Sequence, residues 1–289
     1  MRPGKLLQTW SIVVGLIPAL SEMALGSDAE ECARKAAELG RGTSSNELDL
    51  GCAQSILEGS PASQNSTSPR EGFSVAGFHN VIALYSNRGT EKYDFIAGPN
   101  TGLHVIESLA ISKTRKEVWI LNRKEDGSKD LRIFISRYGG NLSPIRVFHG
   151  SELAEAALIQ VSQAGDEAAI WFPSESVIRV LDLAALKGSP SREHKPKWKR
   201  TIKMNIPEPG VVQAMVWVSH KNTFALLSLE STEISLYRDP MADGTSSVVG
   251  SPLALKSDSP LVRLYWSEKL NGIQAVFKDG TTSLWRMDP

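Results

Sequence analysis

From residue 72 onward the sequence repeats itself. Four apolar stretches open alike: Leu109-Ala110-Ile111-Ser112, Leu158-Ile159-Gln160-Val161-Ser162, Met215-Val216-Trp217-Val218-Ser219 and Leu264-Tyr265-Trp266-Ser267. Their closing serines lie 50, 57 and 48 residues apart. A short turn and a second apolar run follow each: residues 117–122 (EVWILN), 167–172 (EAAIWF), 223–229 (TFALLSL) and 272–277 (GIQAVF). A third, alternating run comes next at 130–136, 177–183, 233–237 and 283–287. A fourth stands at 144–149 (PIRVFH), 200–204 (RTIKM) and 247–255 (SVVGSPLAL). No helical period runs through this region. Short β-branched and aromatic runs between turn residues read as strands.

One sheet of four short strands cannot bury both of its faces, so such units must stack against one another. Four strands recurring at about 50 residues predict an all-β chain, a β-propeller of four-stranded blades. Residues 81–87 (VIALYSN) and 92–98 (KYDFIAG) read as third and fourth strands without a full partner set, and the C-terminal end supplies three strands. Pairing N-terminal strands with the C-terminal blade would hide both edges. That gives four or five blades, with five preferred. Asp126-Gly127, Asp243-Gly244 and Asp279-Gly280 fall between strands, where turns take positive φ.

The segment Gly98-Pro99-Asn100-Thr101-Gly102-Leu103, then Leu109-Ala110-Ile111, Val118-Trp119-Ile120-Leu121-Asn122-Arg123, Ile133-Phe134 and Ser143-Pro144-Ile145-Arg146 resembles one repeat of the NHL/YVTN-like bacterial propellers. Repeats of that family run G-x-x-T-x-L, an apolar strand, a strand ending V-A-N, then I-x-V-F or I-x-V-Y, then a loop to P-x-R. The match extends over residues 96–150. Later copies keep the strand pattern and lose the equivalent of Asn122. The resemblance implies an exported bacterial propeller, an architecture that hosts binders, scaffolds, lactonases and other hydrolases, so it implies a fold rather than a reaction.

Ahead of the repeats, Arg2 and Lys5 precede an uncharged apolar stretch, Trp10 to Leu20, and Ala24-Leu25-Gly26 offers small residues for cleavage after Gly26. Residues 1–26 read as a signal peptide, too short and Pro-broken to span roughly 30 Å of bilayer. No second long apolar run follows, so no transmembrane segment is expected after cleavage, and the chain is expected in the periplasm or outside the cell. In such an oxidising compartment Cys32 and Cys52, the two cysteines present, are expected to close a disulfide. The bridge would staple a small α-helical hairpin over residues 27–57. A redox or metal-binding pair would instead need CxxC spacing or a nearby histidine. Residues 58–71 (EGSPASQNSTSPRE) have a linker's composition, and 72–289 form the propeller. Asn65-Ser66-Thr67 and Asn141-Leu142-Ser143 match the glycosylation pattern.

Chemistry is sparse. With 32 basic and 32 acidic residues, nothing in the charge balance suggests a nucleic-acid partner. The chain has no HExxH, GxSxG, GxGxxG or P-loop. Its histidines, His79, His104, His149, His194 and His220, stand far apart near turns. Lactonase-type propellers hold a metal at the channel mouth with carboxylates and amides, and the equivalent strand ends here carry Glu107, Glu155, Gln213 and Arg263. Two acids beside an arginine make a poor cation site, so no metal and no cofactor are expected. The candidate ligand-binding residues are Asn122 and Arg123, where the family pattern keeps an asparagine, and Lys197, Trp198 and Arg200. The last three belong to the one basic run, 192–203 (REHKPKWKRTIK). Cations beside an aromatic suit an anionic ligand, whereas a solvated hairpin loop would have the same composition. Asn122 could equally cap a turn. Trp119, Trp171, Trp217, Trp266 and Trp285 fall in strands, as inter-blade core residues do. The sequence thus reads as an exported, non-enzymatic binding or scaffold protein facing a protein or cell-envelope ligand. A metal-assisted hydrolase of lactonase type is the alternative.

Overall fold

Strands form where β-branched and aromatic residues run between turn residues, and they gather into five sheets. The structure, a computed structural model, describes residues 30–32, 34–35, 52, 65–68, 73–86, 92–136, 139–183, 192–206, 212–228 and 231–287. Blade 1 is β1 (Asn65–Ser68), β2 (Phe73–Phe78), β3 (Val81–Ser86) and β4 (Lys92–Ile96). Blade 2 is β5 (Val105–Ser112), β6 (Glu117–Arg123), β7 (Lys129–Ile135) and β8 (Arg146–His149). Blade 3 starts with β9 (Leu158–Val161), β10 (Glu167–Phe172) and β11 (Val177–Asp182). The chain then leaves it as β12 (Glu193–His194) and returns as β13 (Trp198–Lys203). Blade 4 is β14 (Val212–Val218), β15 (Thr223–Ser228) and β16 (Glu233–Arg238), with β17 (Gly244–Thr245) outside it and β18 (Leu253–Ala254) as its fourth strand. Blade 5 is β19 (Leu261–Ser267), β20 (Gly272–Phe277) and β21 (Thr282–Arg286). Within each blade successive strands pair antiparallel.

The first strands of the blades line the axis and touch in ring order, with β1 meeting both β5 and β19. The molecule is therefore a five-bladed β-propeller. Two expectations are corrected. Asn65–Ser68, placed by composition in a linker, pairs with Phe73–Ala76 as the innermost strand of blade 1. Among the described residues the ring also closes without a mixed blade: β1 to β4 form blade 1 among themselves, and blade 5 has three strands. A third correction concerns Asp243-Gly244. Gly127 and Gly280 take positive φ, 80° and 79°, whereas Gly244 lies in β17 and the left-handed residue of that loop is Met241.

The repeat is legible in the packing. Second strands lie in the middle of each blade with neighbours over both faces, so all six residues of β10 are buried. Alternate residues feed opposite seams. Val75, Ile82 and Leu84 of blade 1 meet Ile106, Leu109, Val118 and Phe134 of blade 2. Trp119, Ile133 and Phe148 of blade 2 meet Ile159, Ile170 and Phe172 of blade 3. Trp171, Ile178 and Ile202 of blade 3 meet Met215, Trp217 and Phe224 of blade 4, and Val216, Ala225 and Leu227 of blade 4 meet Trp266, Ile273 and Trp285 of blade 5. The recurring serine closes the inner turn: Ser162 Oγ accepts from the backbone N–H of Asp166 and Glu167, and Ser112 Oγ from that of Arg115.

The other face of blade 1, Ala76, Val81, Ala83, Phe95 and Ala97, packs on Cys32 and Cys52. These two cysteines form the expected disulfide, their Cα atoms 5.3 Å apart. Residues 30–32, 34–35 and 52 are helical, and the rest of the expected hairpin lies outside the described residues, as does residues 1–26. No helix among the described residues is long and apolar enough to cross a membrane.

Candidate functional site

The five candidate ligand residues fall in two places. Asn122 and Arg123 end β6 beside the axial strand of blade 2. Lys197, Trp198 and Arg200 lie on the outer edge of blade 3.

Asn122 is wholly buried. Its Oδ1 accepts from the backbone N–H of His104 at 2.8 Å, and its Nδ2 donates to Asp130 Oδ1 at 2.9 Å. Asp130 in turn receives Arg132, whose Nη1 donates to the Thr101 carbonyl at 2.8 Å. Arg132 runs so close to Gly102 (φ 61°) that a Cβ there would lie 2.0 Å from its guanidinium. The G-P-N-T-G turn and the strand-ending asparagine are thus one hydrogen-bonded unit that joins blades 1 and 2. The amide of Asn122 is spent holding it.

Arg123 is half exposed, and its Nε lies 2.9 Å from Glu107 Oε1, while Lys129 Nζ lies 2.7 Å from Glu107 Oε2. Glu107 occupies a bulge in β5 that recurs in β14 at Gln213 and in β19 between Leu261 and Arg263. Both of its oxygens are neutralised by cations from its own blade. Glu155 is exposed to solvent. Among the described residues no three His, Cys, Asp or Glu side chains converge. A donor set of one cation-paired carboxylate, an amide and an arginine does not fit the divalent metal that a lactonase-type channel would need.

Arg200 is buried, 4% exposed, and bridges two blades. Its Nη1 lies 3.1 Å from Glu167 Oε1 on β10, and its Nη2 lies 2.8 Å from Asp239 Oδ2, just past β16. Its guanidinium also sits 5.8 Å from the Trp217 ring centroid. Burial opposes the charge, but the bonds from Glu167 and Asp239 outweigh it and raise the Arg200 pKa further. The same pair recurs one blade earlier, where Arg146 Nη1 lies 3.3 Å from Glu117 Oε1. Each glutamate opens a second strand and each arginine sits in a fourth strand (EVWILN with PIRVFH, EAAIWF with WKRTIK), a signal present in the sequence. Arg200 is therefore an inter-blade tie, unavailable to a ligand.

Lys197 is exposed and Trp198 half-buried. The indole packs edge-on to Phe172 with centroids 5.8 Å apart, and Arg179 lies over the Phe172 ring at 4.6 Å. Arg192, Lys195, Lys199 and Lys203 are exposed on the same segment. Lys199 is bonded to Glu167, which raises its pKa. Lys195 and Lys197 have no ion-pair partner among the described residues. The geometry therefore separates the basic run into a buried structural arginine and an exposed cationic rim beside an anchored aromatic.

No family model matches this chain, and no curated protein matches it. Among solved structures it is similar to the β-propeller domain of Myceliophteria thermophila Cps50 (Swd1), at 11% identity over 75% of this chain and 67% of that one, with TM-score 0.45. It is also similar to a chain of a mitotic checkpoint complex, at 13% identity over 75% and 72%, with TM-score 0.48. The class itself is defined by the closed ring of axial strands: a five-bladed β-propeller whose best-formed exposed feature is the cationic rim of blade 3.

Proposed function

We propose that this chain is an exported, non-enzymatic binding or scaffold protein, akin to the NHL/YVTN-like propellers, that holds an acidic protein segment or an acidic cell-envelope polymer on the rim of blade 3. The observation that carries the reading is the pair Lys195 and Lys197, exposed and without ion-pair partners among the described residues, just ahead of Trp198, whose ring is fixed against Phe172. Unpaired surface cations beside an immobilised indole attract anions and lose little side-chain entropy at the aromatic when a ligand arrives. The Cys32–Cys52 disulfide supports export, because such bonds persist in oxidising compartments. Signal cleavage after Gly26 and a hairpin unit over 27–57 belong to the same proposal.

Calorimetric titration with polyphosphate, polyglutamate and a neutral glucan tests it. Binding of the two anionic polymers should weaken with salt and fall about tenfold in K195E/K197E, with melting unchanged. Equal affinity for the glucan, or full retention of binding in the double variant, would overturn the assignment.

A further inference from the structure

The ladders put neighbouring blades in register residue by residue. In blade 2 the Ser136 N–H donates to the Lys116 carbonyl, in blade 3 the Leu183 N–H to the Asp166 carbonyl, and in blade 4 the Asp239 N–H to the Asn222 carbonyl. Leu183 therefore stands in blade 3 where Asp239 stands in blade 4. By the same ladders Glu117, opposite Ile135, matches Glu167, opposite Asp182. Arg146, opposite Ile133, matches Arg200, opposite Val180. Two successive seams thus hold copies of one glutamate–arginine tie, and the copies differ in their second acid.

Between blades 3 and 4 the charges balance: Arg200 and Lys199 meet Glu167 and Asp239. Between blades 2 and 3 they do not. Leu183 is wholly buried and brings no charge. A second arginine, Arg115, reaches in from the inner turn of blade 2. Its Nη1 lies 3.9 Å from Glu117 Oε2, and its Nη2 donates to the Leu183 carbonyl at 3.4 Å. The same Glu117 oxygen accepts from the Trp119 indole at 3.1 Å, while Arg146 Nη1 lies 3.3 Å from Oε1. Among the described residues Glu117 is the one carboxylate that either guanidinium meets, and Arg115 Nη1 is buried with no hydrogen-bond partner. The stretch that continues from Leu183, residues 184–191 (AALKGSPS), contains no acid. One positive charge in this seam is therefore left without a counter-ion, in surroundings where an unbalanced charge is costly. Both arginines keep a solvent-facing edge, with side chains 18% and 23% exposed.

We propose that Arg115 and Arg146 form an oxyanion site in the seam between blades 2 and 3, which takes one small carboxylate, sulfate or phosphate group as the counter-ion that Asp239 supplies one seam further on. The class of ligand follows from the donors. A guanidinium keeps its charge and presents a planar fork of N–H groups that matches two oxygens of one anion, a pairing that chloride cannot make. Leu183 fills the place of the Asp239 side chain, so the anion binds at the solvent-facing edges of the two arginines. The site uses none of Lys195, Lys197 and Trp198, and it stands or falls independently of the reading given for the rim of blade 3.

Calorimetric titration of the intact protein with sodium sulfate, sodium acetate and sodium chloride at matched ionic strength tests it. The expected result is saturable heat with sulfate or acetate and none with chloride. Arg115→Gln leaves the contact between Glu117 and Arg146 in place, so its melting curve without added anion should stay within a few degrees of the parent's. Its affinity for the oxyanion should fall about tenfold or more. Arg146→Lys, which keeps the charge and loses the fork, should weaken binding as well. The general stabilisation that sulfate gives any folded protein acts on parent and variants alike and cancels in the comparison. No saturable heat with either oxyanion, equal binding of chloride, or full affinity in both variants would each overturn the proposal. Affinity lost in K195E/K197E and kept in Arg115→Gln would also overturn it, by assigning the anion to the rim of blade 3.

Discussion

The seam between blades 2 and 3 and the outward face of blade 1 solve one problem by different means. In the seam, two sheets face each other and interdigitate large side chains: Trp119, Phe148 and Phe172 are all less than 2% exposed, and Trp119 stacks on Phe148 at 6.3 Å. Blade 1 offers small residues on its outward face, Ala76, Ala83 and Ala97 around Val81 and Phe95, and the Cys32–Cys52 pair covers them. No described residue of blade 5 belongs to that cluster. Its own face away from blade 4 carries Arg263, Tyr265 and Gln274, all half-buried, with burial raising the Tyr265 phenol pKa. Where matched sheets meet, side-chain packing and buried polar ties hold the ring. Where the repeat supplies no matching face, a covalent staple stands in.

That contrast can be broken from either side. The largest effects belong to the seams. Trp119→Ala should cost about 3–5 kcal/mol, read from urea denaturation, because a wholly buried indole leaves a cavity between two rigid sheets. Arg200→Ala should cost a similar 3–5 kcal/mol, since Glu167 and Asp239 would remain buried without their shared cation. Reduction of Cys32–Cys52, closing a sequence separation of 20, should cost about 3 kcal/mol. Its hydrogen-exchange signature distinguishes the two regions: amides of Val81–Leu84 should lose protection while those of Glu167–Phe172 keep theirs. Uniform loss in both would mean that the staple stabilises the whole ring rather than blade 1.

Smaller effects sharpen the comparison. Arg146→Met, which breaks the more exposed copy of the glutamate–arginine tie, should cost no more than about 1 kcal/mol. The gap between this value and that for Arg200 would measure what burial and the second partner, Asp239, add to the glutamate–arginine pair. The smallest change concerns His220, which touches Gln163 at 2.5 Å and the Trp266 ring at 5.2 Å across the inner turns. Burial, helped by Lys221, lowers its pKa from 6.5, against an opposing pull from Glu268. A lowered histidine pKa means that the neutral form is favoured in the fold. Its contribution is fully present above pH 6.5 and is lost as the pH falls through the lowered folded value. His220→Asn should flatten that part of a melting-against-pH curve.

Much of the architecture could be read from residue order. The four-strand period of about 50 residues follows from β-branched runs between turns, and each of the four recurrent units became a blade. The half-hidden first blade was legible only in its third and fourth strands, VIALYSN and KYDFIAG. Its innermost strand, Asn65–Ser68, was not legible, because Asn-Ser-Thr-Ser has the composition of a loop and lacks the apolar run that marks the other four axial strands. The candidate site was legible as composition. The run REHKPKWKRTIK does not say which cations are free, because a bulge at Lys199 breaks the strand's alternation and sends Trp198 and Arg200 to different seams. Lys197 went to solvent, Lys199 to Glu167, and Arg200 into the seam to meet Asp239, a residue 39 positions further along.

Local sequence by itself determined the strands, their grouping in fours, the inner-turn serines and the pairing partners for two lone cysteines, since these depend on side-chain shape and short-range hydrogen bonding. The tertiary structure alone decided that the ring closes at five, that among the described residues excursions cover the outer edges of blades 1 to 3, and that Arg200 ties two blades together. Those outcomes rest on which sheet faces which, a matter of long-range packing and electrostatics between residues whose order along the chain places no constraint on their meeting.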